Sequence, residues 1–310
     1  MTLEAKIFGD EDPVHAIVAL LDEDPAETLF VEASVGVVAG FRLADGRGVV
    51  VKVHQPHVSA AYLKSMHTVQ CALADAGFPV PRPLGGPWPI ARGYATVDEL
   101  LDRGERRDGH AASVRRAMAR ALARLIELAP DVDGIDGGIL ERTAAVWPRP
   151  HSPIFDFEAT RRGTEWIDEY AERSRSRPVG RLVVGHGDWS VKHFRFAGDE
   201  ITAIYDWDSL IRTDEPRIVG QAAATHPATW YTPTTVLATP DEARAFVAEY
   251  EDARGRSFTP EERARLAAAA TYNVAYGARC ESCGDPTATS FAEGSQRDTL
   301  ARYGEEYLRL

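Results

Sequence analysis

Two short polar segments, separated by an apolar stretch, carry residue types that can do chemistry. The first runs from His186 to His193 (HGDWSVKH), and the second is Asp206-Trp207-Asp208, which begins eighteen residues after Asp188. Together they offer three carboxylates and two imidazoles. Carboxylates placed between apolar strands are costly unless a metal ion or another cation compensates their charge, so the pattern indicates a functional site. The structural alternative is an N-capping aspartate followed by a solvated turn.

Short strands are predicted on both sides of these segments, so that a hairpin would bring the carboxylates together. Residues 182–184, 194–196 and 201–205 are rich in β-branched and aromatic side chains. Outside this hairpin the chain beyond residue 98 has helical spacing, including an amphipathic stretch at 156–172 and a capping box that starts at Thr259. The second part of the chain is therefore predicted to be mostly helical.

The first third of the chain predicts a small antiparallel sheet. Valine, alanine and phenylalanine dominate residues 29–53, and the turn at residues 45–48 divides them into a hairpin whose last strand carries Lys52. A helix follows that strand, since Ser59 can cap it and Gly77 can end it. We place the domain boundary after the next strand, which gives an N-terminal lobe at 1–97 and a C-terminal lobe at 98–310.

Composition and charge exclude several classes of protein. The 310 residues are 44% hydrophobic and 26% charged, as in an ordinary globular protein, and 35 basic against 47 acidic side chains give a net charge of −12. This charge disfavours nucleic acid and anionic membranes as partners and is compatible with a cationic ligand. No stretch is long enough to cross a membrane, and three cysteines are too few for a disulfide scaffold, so we expect a cytoplasmic protein.

In combination, these segments resemble the aminoglycoside phosphotransferases and their choline-kinase-like relatives. The resemblance rests on His186-x-Asp188, on the apolar strand that ends in Asp206-Trp207, and on the upstream strand of Lys52 with the helix after it. It covers about residues 30–280. The resemblance implies an α+β, two-lobed protein-kinase-like fold, with a small antiparallel sheet in the N-lobe and a mostly helical C-lobe.

The resemblance also implies a role for individual residues. Asp188 is the expected catalytic residue, aimed at the hydroxyl group of the acceptor, whereas His186 is expected to orient the loop. The metal is expected to be Mg²⁺ or alternatively Mn²⁺, with Asp206 as its ligand by the resemblance and His193 at the position of the second ligand. If the strand continues through Asp206 and Asp208, both face the same side, so Asp208 is expected to supply a further oxygen ligand. The residues expected to contact ATP are Lys52, Ser34, Gly36, Thr96 and Val97. Gly36 has an equally good alternative explanation as a turn requirement.

Three positions depart from the pattern of this family. The asparagine that usually follows the catalytic aspartate by five residues is His193, and the helix after Lys52 has no glutamate to pair with that lysine but offers Met66, His67 and Gln70. In addition, Gly220-Gln221-Ala222 stands where an acidic residue is common. The first two departures bear on whether the chain retains full activity.

These observations predict an ATP-dependent O-phosphotransferase. Its acceptor would be a small molecule with a hydroxyl group and an amine, such as an aminoglycoside, an amino sugar or an amino alcohol. One alternative is a nucleotide-binding, pseudokinase-like protein with lost or residual transfer activity. A second is a metal-dependent hydrolase built on the histidines and aspartates, against which Lys52 argues. The acceptor site itself is expected among the residues Trp230, Tyr231, Tyr272, Tyr276, Glu281 and Asp285, although aromatic residues at helical spacing are more often part of a core.

Overall fold

The computed structural model of the chain describes residues 25–33, 36–90, 93–141, 143–229 and 237–310. Ser34, Trp230 and Tyr231 therefore lie outside the described residues. Among the helices that the structure describes, none is both long and apolar enough to cross a membrane.

The N-terminal part is a five-stranded antiparallel sheet with the strand order β1-β2-β3-β5-β4. Because Lys52 lies opposite Thr96 in the pairing of β3 with β5, and Val50 lies opposite Asp98, these four side chains share one face of the sheet. The opposite face is apolar and buried. The strands are β1 (Pro25–Ala33), β2 (Val37–Leu43), β3 (Gly48–Val53), β4 (Pro83–Ile90) and β5 (Gly93–Glu99).

Helix α1 (Ala60–Asp75) connects the sheet to the rest of the molecule. Its first turn is capped by Ser59, whose Oγ accepts a hydrogen bond from the backbone of Tyr62, and Gly77 follows its end with a φ of 71°. The apolar side chains of its buried face are part of the core of the helical lobe rather than that of the sheet. Helix α1 thus holds the sheet against the helical lobe.

The helical lobe is built from six helices of the described residues. Helix α4 packs tightly on α6, since a Cβ at Gly220 would lie 2.1 Å from the carbonyl oxygen of Leu266. Capping boxes at Thr239 and Thr259 start two of the helices, as the sequence predicts for Thr259. The helices are α2 (Ala112–Leu128), α3 (Glu165–Ser174), α4 (Glu215–Thr225), α5 (Pro240–Arg254), α6 (Pro260–Glu281) and α7 (Gln296–Tyr307).

Two antiparallel strand pairs carry the polar segments. Strand β6 (Leu182–His186) pairs with β9 (Leu210–Asp214), and β7 (Phe194–Ala197) pairs with β8 (Glu200–Ile204). Backbone hydrogen bonds then tie the segments to each other, from Gly187 N to Ser209 O at 2.6 Å and from Tyr205 N to His193 O at 2.9 Å. The predicted convergence of the two segments is therefore present.

Candidate active site

His186 fixes the loop that presents Asp188. It ends β6 with 1% exposure, its Nδ1 accepts a hydrogen bond from the backbone N–H of Asp188 at 3.1 Å, and Nε2 lies 3.2 Å from the carbonyl oxygen of Tyr205. Because Nδ1 accepts a hydrogen bond, Nε2 carries the proton and donates a hydrogen bond to that carbonyl oxygen. Burial, together with the charge of His193, lowers the pKa of His186. The neutral imidazole is therefore a positioning group for the loop.

Asp188 lies at the opening of the cluster and is held by three donors. Its Oδ2 is 2.8 Å from Lys192 Nζ and 3.1 Å from His193 Nε2, and its Oδ1 accepts a hydrogen bond from Ser190 Oγ at 2.5 Å. Burial raises the pKa of this carboxyl group, but the charges of Lys192 and His193 outweigh burial and hold it well below its usual range. Asp188 is thus ionised at neutral pH while 34% of its side chain remains exposed.

An irregular backbone brings Asp206 and Asp208 to Lys52. Strand β8 ends at Ile204, Asp206 has a φ of 65°, and residues Trp207–Ser209 form a turn of 3₁₀-helix. The sequence-based argument that both aspartates would face one side of a continuing strand is therefore wrong in its geometry. The turn nevertheless brings both carboxylates to Lys52, and Ser209 Oγ donates to Asp206 Oδ2 at 2.7 Å.

Lys52 lies between these two carboxylates. Its Nζ donates to Asp206 Oδ1 at 2.9 Å and forms a short hydrogen bond with Asp208 Oδ1, and only 14% of its side chain is exposed. Burial lowers the pKa of Lys52, but the two aspartates outweigh burial and raise it above its usual value. The lysine in turn lowers the pKa of both aspartates against the effect of their burial. One ammonium group thus balances part of the charge of two carboxylates.

The donor set around Asp206 fits a divalent cation. One ligand atom each from Asp188, His193 and Asp206 lies within 4.8 Å of the others, and His193 Nε2 is 3.7 Å from Asp206 Oδ2. Carboxylate oxygens suit Mg²⁺, while imidazole nitrogen suits Mn²⁺ and other transition ions. Asp208 lies on the far side of Asp206, at Lys52 and 3.6 Å from His54 Nδ1. Of the three predicted metal ligands, His193 and Asp206 share the cluster, and Asp208 reaches it through Lys52.

The remaining residues predicted to bind the nucleotide lie in or beside the sheet. A Cβ at Gly36 would lie 2.4 Å from the carbonyl oxygen of Val53, so close backbone approach requires glycine there. Thr96 shares the face of Lys52 but is fully buried, and its Oγ1 is 2.9 Å from His54 Nε2. Val97 belongs to the apolar core on the other face.

Four further residues at this site were missed from the sequence. Lys192 contacts Asp188, His54 faces Asp208, and the hydroxyl group of Tyr62 donates to the backbone of Asp208 at 2.7 Å. Asp98 shares the sheet face of Lys52 and accepts a hydrogen bond from Gln70 Nε2 at 3.5 Å. The alternation of β5 places Asp98 on the same face as the predicted nucleotide contact Thr96, and Lys192 lies within the polar segment of Asp188; these were the signals that the sequence offered.

The residues suggested for an acceptor site have mixed positions. Tyr276 contacts both the backbone N and the Nδ1 of His151 through its hydroxyl group, at 2.9 Å, and belongs to an aromatic cluster with Trp147. Tyr272 donates to the carbonyl oxygen of Val146 in the same cluster. In contrast, Glu281 accepts from the first backbone N–H groups of α7, and Asp285 accepts from Thr287, so both acidic residues stabilise local structure.

Solved structures of small-molecule kinases are similar to this chain over nearly its whole length. Amicoumacin kinase hAmiN, solved with AMP-PNP, Ca²⁺ and Ami, matches with a TM-score of 0.68 at 14% identity over 100% of this chain and 96% of its own. Aminoglycoside-3'-phosphotransferase of type VIII matches with a TM-score of 0.54 at 22% identity over 85% and 98%. Choline kinase LicA from Streptococcus pneumoniae matches with a TM-score of 0.53 at 13% identity over 92% and 95%. The predicted protein-kinase-like α+β fold is confirmed.

No curated protein matches this sequence. The profile of the phosphotransferase enzyme family (APH), however, matches residues 39–214, from β2 to the end of β9. This range is more than half of the 310 residues and includes Lys52, Asp188 and Asp206. The predicted phosphotransferase class is confirmed, and the chain belongs to the phosphotransferase enzyme family.

Proposed function

We propose that this protein transfers the γ-phosphoryl group of ATP to a hydroxyl group of a small, amine-bearing acceptor. The observation that carries the proposal is the convergence of Asp188, Asp206 and Lys52 on one cluster between the sheet and the helical lobe. Phosphoryl transfer needs positioning and charge neutralisation more than covalent chemistry, and this cluster supplies groups for both. The phosphotransferase family of the chain supports the same reaction class.

Asp188 is the group proposed to orient the acceptor hydroxyl and to take its proton. Its partly exposed carboxylate is the part of the cluster that an acceptor can approach. Since Lys192 and His193 hold the pKa of Asp188 low, it is a weak base. A weak base suffices because the transition state of phosphoryl transfer is loose, and the hydroxyl loses its proton late. Orientation is therefore the larger part of its contribution.

Lys52 and the aspartates beside it are proposed to bind the triphosphate end of the nucleotide. Asp206, His193 and Asp208 would hold Mg²⁺, or Mn²⁺ as an alternative, which when bound neutralises phosphate charge. Lys52 gives up its two aspartate contacts as phosphate oxygens replace them. Gly36, Thr96, Val97 and Ser34 remain proposed nucleotide contacts, and the boundary between the lobes at Val97 and Asp98 remains a proposal that falls within β5.

An amine-bearing acceptor is proposed on charge and on likeness. The net charge of −12 favours a cation, and the similar structures are, by name, phosphotransferases of amicoumacin, aminoglycosides or choline. The aromatic cluster that contains His151 and Tyr276 is proposed to contact the acceptor, because it lies near Asp188. Burial lowers the pKa of His151, and the negative charge of Asp188 opposes that shift. A cytoplasmic location is proposed as well, and the three free cysteines support it.

Two observations favour a second candidate, a nucleotide-binding protein with little or no transfer. Lys52 pairs with Asp206 and Asp208 rather than with a carboxylate of α1, and His193 replaces the usual asparagine. Both features bear on how well the site is organised for transfer. The hydrolase alternative is not supported by the phosphotransferase family to which the chain belongs.

A product screen distinguishes these candidates. The protein is incubated with ATP and Mg²⁺, or with Mn²⁺, and with a panel of aminoglycosides, amino sugars, amino alcohols and neutral sugars, and each mixture is analysed by mass spectrometry for a phosphorylated acceptor. We expect phosphorylation of at least one amine-bearing compound, and far less product from Asp188→Asn. ATP binding by calorimetry without any product would favour the nucleotide-binding candidate, and phosphorylation of neutral sugars alone would contradict the amine requirement.

A further inference from the structure

Helix α1 lacks the carboxylate that would pair with Lys52, yet it holds a buried amide at the corresponding place. Gln70 is 1% exposed and lies on the face of α1 that also buries Met66 and Val69. Its Nε2 donates to the carbonyl oxygen of Pro81 at 3.2 Å and to Asp98 Oδ1 at 3.5 Å. Since a carbonyl oxygen can only accept, the bond to Pro81 fixes which end of the amide is the nitrogen.

The other end of this amide has no partner among the described residues. Within the described chain, Gln70 Oε1 is buried and no hydrogen-bond donor reaches it. A buried acceptor without a donor is unfavourable by about 1–3 kcal/mol, so such atoms are rare unless a ligand or a moving group satisfies them. The orphaned oxygen therefore indicates a second arrangement of the site in which a donor reaches Gln70.

Asp98 lies where it can accept a hydrogen bond from the donor that we assign to Gln70, which is Lys52. On β5 it is two residues beyond Thr96, the partner of Lys52, so Lys52 and Asp98 are diagonal neighbours on one face of the sheet, with a Cα separation of about 7–8 Å. Charges face Asp98 from β3, through Lys52, and from the turn after β8, through Asp208, while Gln70 faces it from α1. A lysine side chain is long enough to bridge this distance.

We infer that Asp98 and Gln70 together replace the missing carboxylate of α1 and hold Lys52 in place when nucleotide and metal bind. This inference rests on the proposed function. In the present arrangement Lys52 is bound to Asp206 and Asp208. With a cation held by those aspartates, Lys52 Nζ would donate to Asp98 and to Gln70 Oε1 while it contacts phosphate. Asp98 and Gln70 are positioning residues, and Lys52 is the residue that touches the nucleotide.

Removal of the carboxylate tests the pair. We expect Asp98→Asn to weaken ATP binding about tenfold in calorimetry with Mg²⁺, since a hydrogen bond to a charged group is lost. In the Lys52→Ala background the same substitution should have no further effect, because its effect passes through the lysine. Adding Gln70→Glu to Asp98→Asn restores a carboxylate next to Lys52 and should recover most of the affinity. Asp75→Asn, an exposed α1 carboxylate paired with Arg82, is the matched control and should bind ATP normally.

A stability measurement separates this role from a structural one. Burial raises the pKa of Asp98 to about 7, although Lys52 opposes the shift. An acid whose pKa is raised in the folded state costs stability as the pH rises through that value, so Asp98→Asn should raise the Tm at pH 8 and leave it unchanged at pH 4. A purely structural residue would instead lower the Tm on substitution.

Several results would overturn the inference. Normal ATP affinity of Asp98→Asn would do so, as would a loss that is the same with and without Lys52 or a loss that Gln70→Glu fails to repair. In all of these cases wild-type binding and transfer stand, so the proposed function survives. Wild-type protein that binds no nucleotide would contradict the proposed function itself, and this inference with it.

Discussion

Replacing Lys52 by methionine should destabilise the nucleotide-free protein, because the ammonium group is the cation between Asp206 and Asp208. Removing one partner of a buried ion pair costs about 3–5 kcal/mol. The side chains of Lys52, Asp206 and Asp208 are between 14% and 25% exposed. Because water screens their charges, we expect the free energy of unfolding to fall by about 2–3 kcal/mol at pH 7.5. With an unfolding entropy of about 2.1 cal/mol/K per residue, this corresponds to a decrease in Tm of about 3–5 °C.

The pH and metal dependence of this loss identify its cause. Since Lys52 lowers the pKa of both aspartates, against the effect of burial, its stabilisation is present above pH 4 and disappears as the pH falls through the lowered values. The Tm difference should therefore vanish in acid. A divalent cation can replace the ammonium group, so Mg²⁺ should raise the Tm of Lys52→Met more than that of the wild type.

Differential scanning calorimetry with and without Mg²⁺ measures both effects. Lys64→Met, at an exposed position of α1, is the control and should leave the Tm unchanged. An unchanged Tm of Lys52→Met at pH 7.5 would refute the assignment of the lysine as counter-ion. A decrease that persists in acid, or that Mg²⁺ does not reverse, would show that lost packing and not charge causes it.

Two other predictions concern the metal and the helical core. If Asp208 supplies an oxygen ligand, Asp208→Asn should reduce transfer more than His193→Asn, and Mn²⁺ should support at least as much activity as Mg²⁺. Steady-state rates with each metal measure both effects. An enzyme that works best with Mg²⁺ and loses no activity on Asp208→Asn would contradict this prediction. Gly220→Ala should cost about 1–3 kcal/mol of stability, because the new methyl group would meet the carbonyl oxygen of Leu266. Urea unfolding measures that loss, and an unchanged midpoint would contradict the close packing of α4 on α6.

Elements with local signals were predicted well from the sequence. Ser59 caps α1 and the box at Thr259 starts α6, because caps and their partners lie within four residues of each other. The helix expected at 156–172 was wrong at its start. The observed α3 begins at Glu165, since Gly163 has a φ of 92° and approaches the backbone of Pro286 too closely for a side chain. Such a contact between distant segments leaves no periodic pattern in the sequence.

The site was predictable to the extent that it follows motif order. Asp188 and Asp206 were identified as carboxylates placed between apolar strands, whereas Lys52 and the roles of all three were implied by the family resemblance. The structure brings all three together. The partners of Lys52 were not predictable, because Asp208 reaches it through a turn of 3₁₀-helix with a left-handed residue before it. Asp98 was also missed, since its place opposite Val50 depends on the register between strands far apart in the chain.

The most direct test of the account is to measure ATP binding and phosphoryl transfer separately in Asp188→Asn, with an acceptor found in the product screen. A general base and orienting group contributes about 10²–10⁴-fold to the rate, so turnover should fall by that factor. The dissociation constant for ATP with Mg²⁺, measured by calorimetry, should stay close to that of the wild type, because Asp188 faces the acceptor. Undiminished turnover, or loss of ATP binding together with transfer, would contradict the central role given to Asp188.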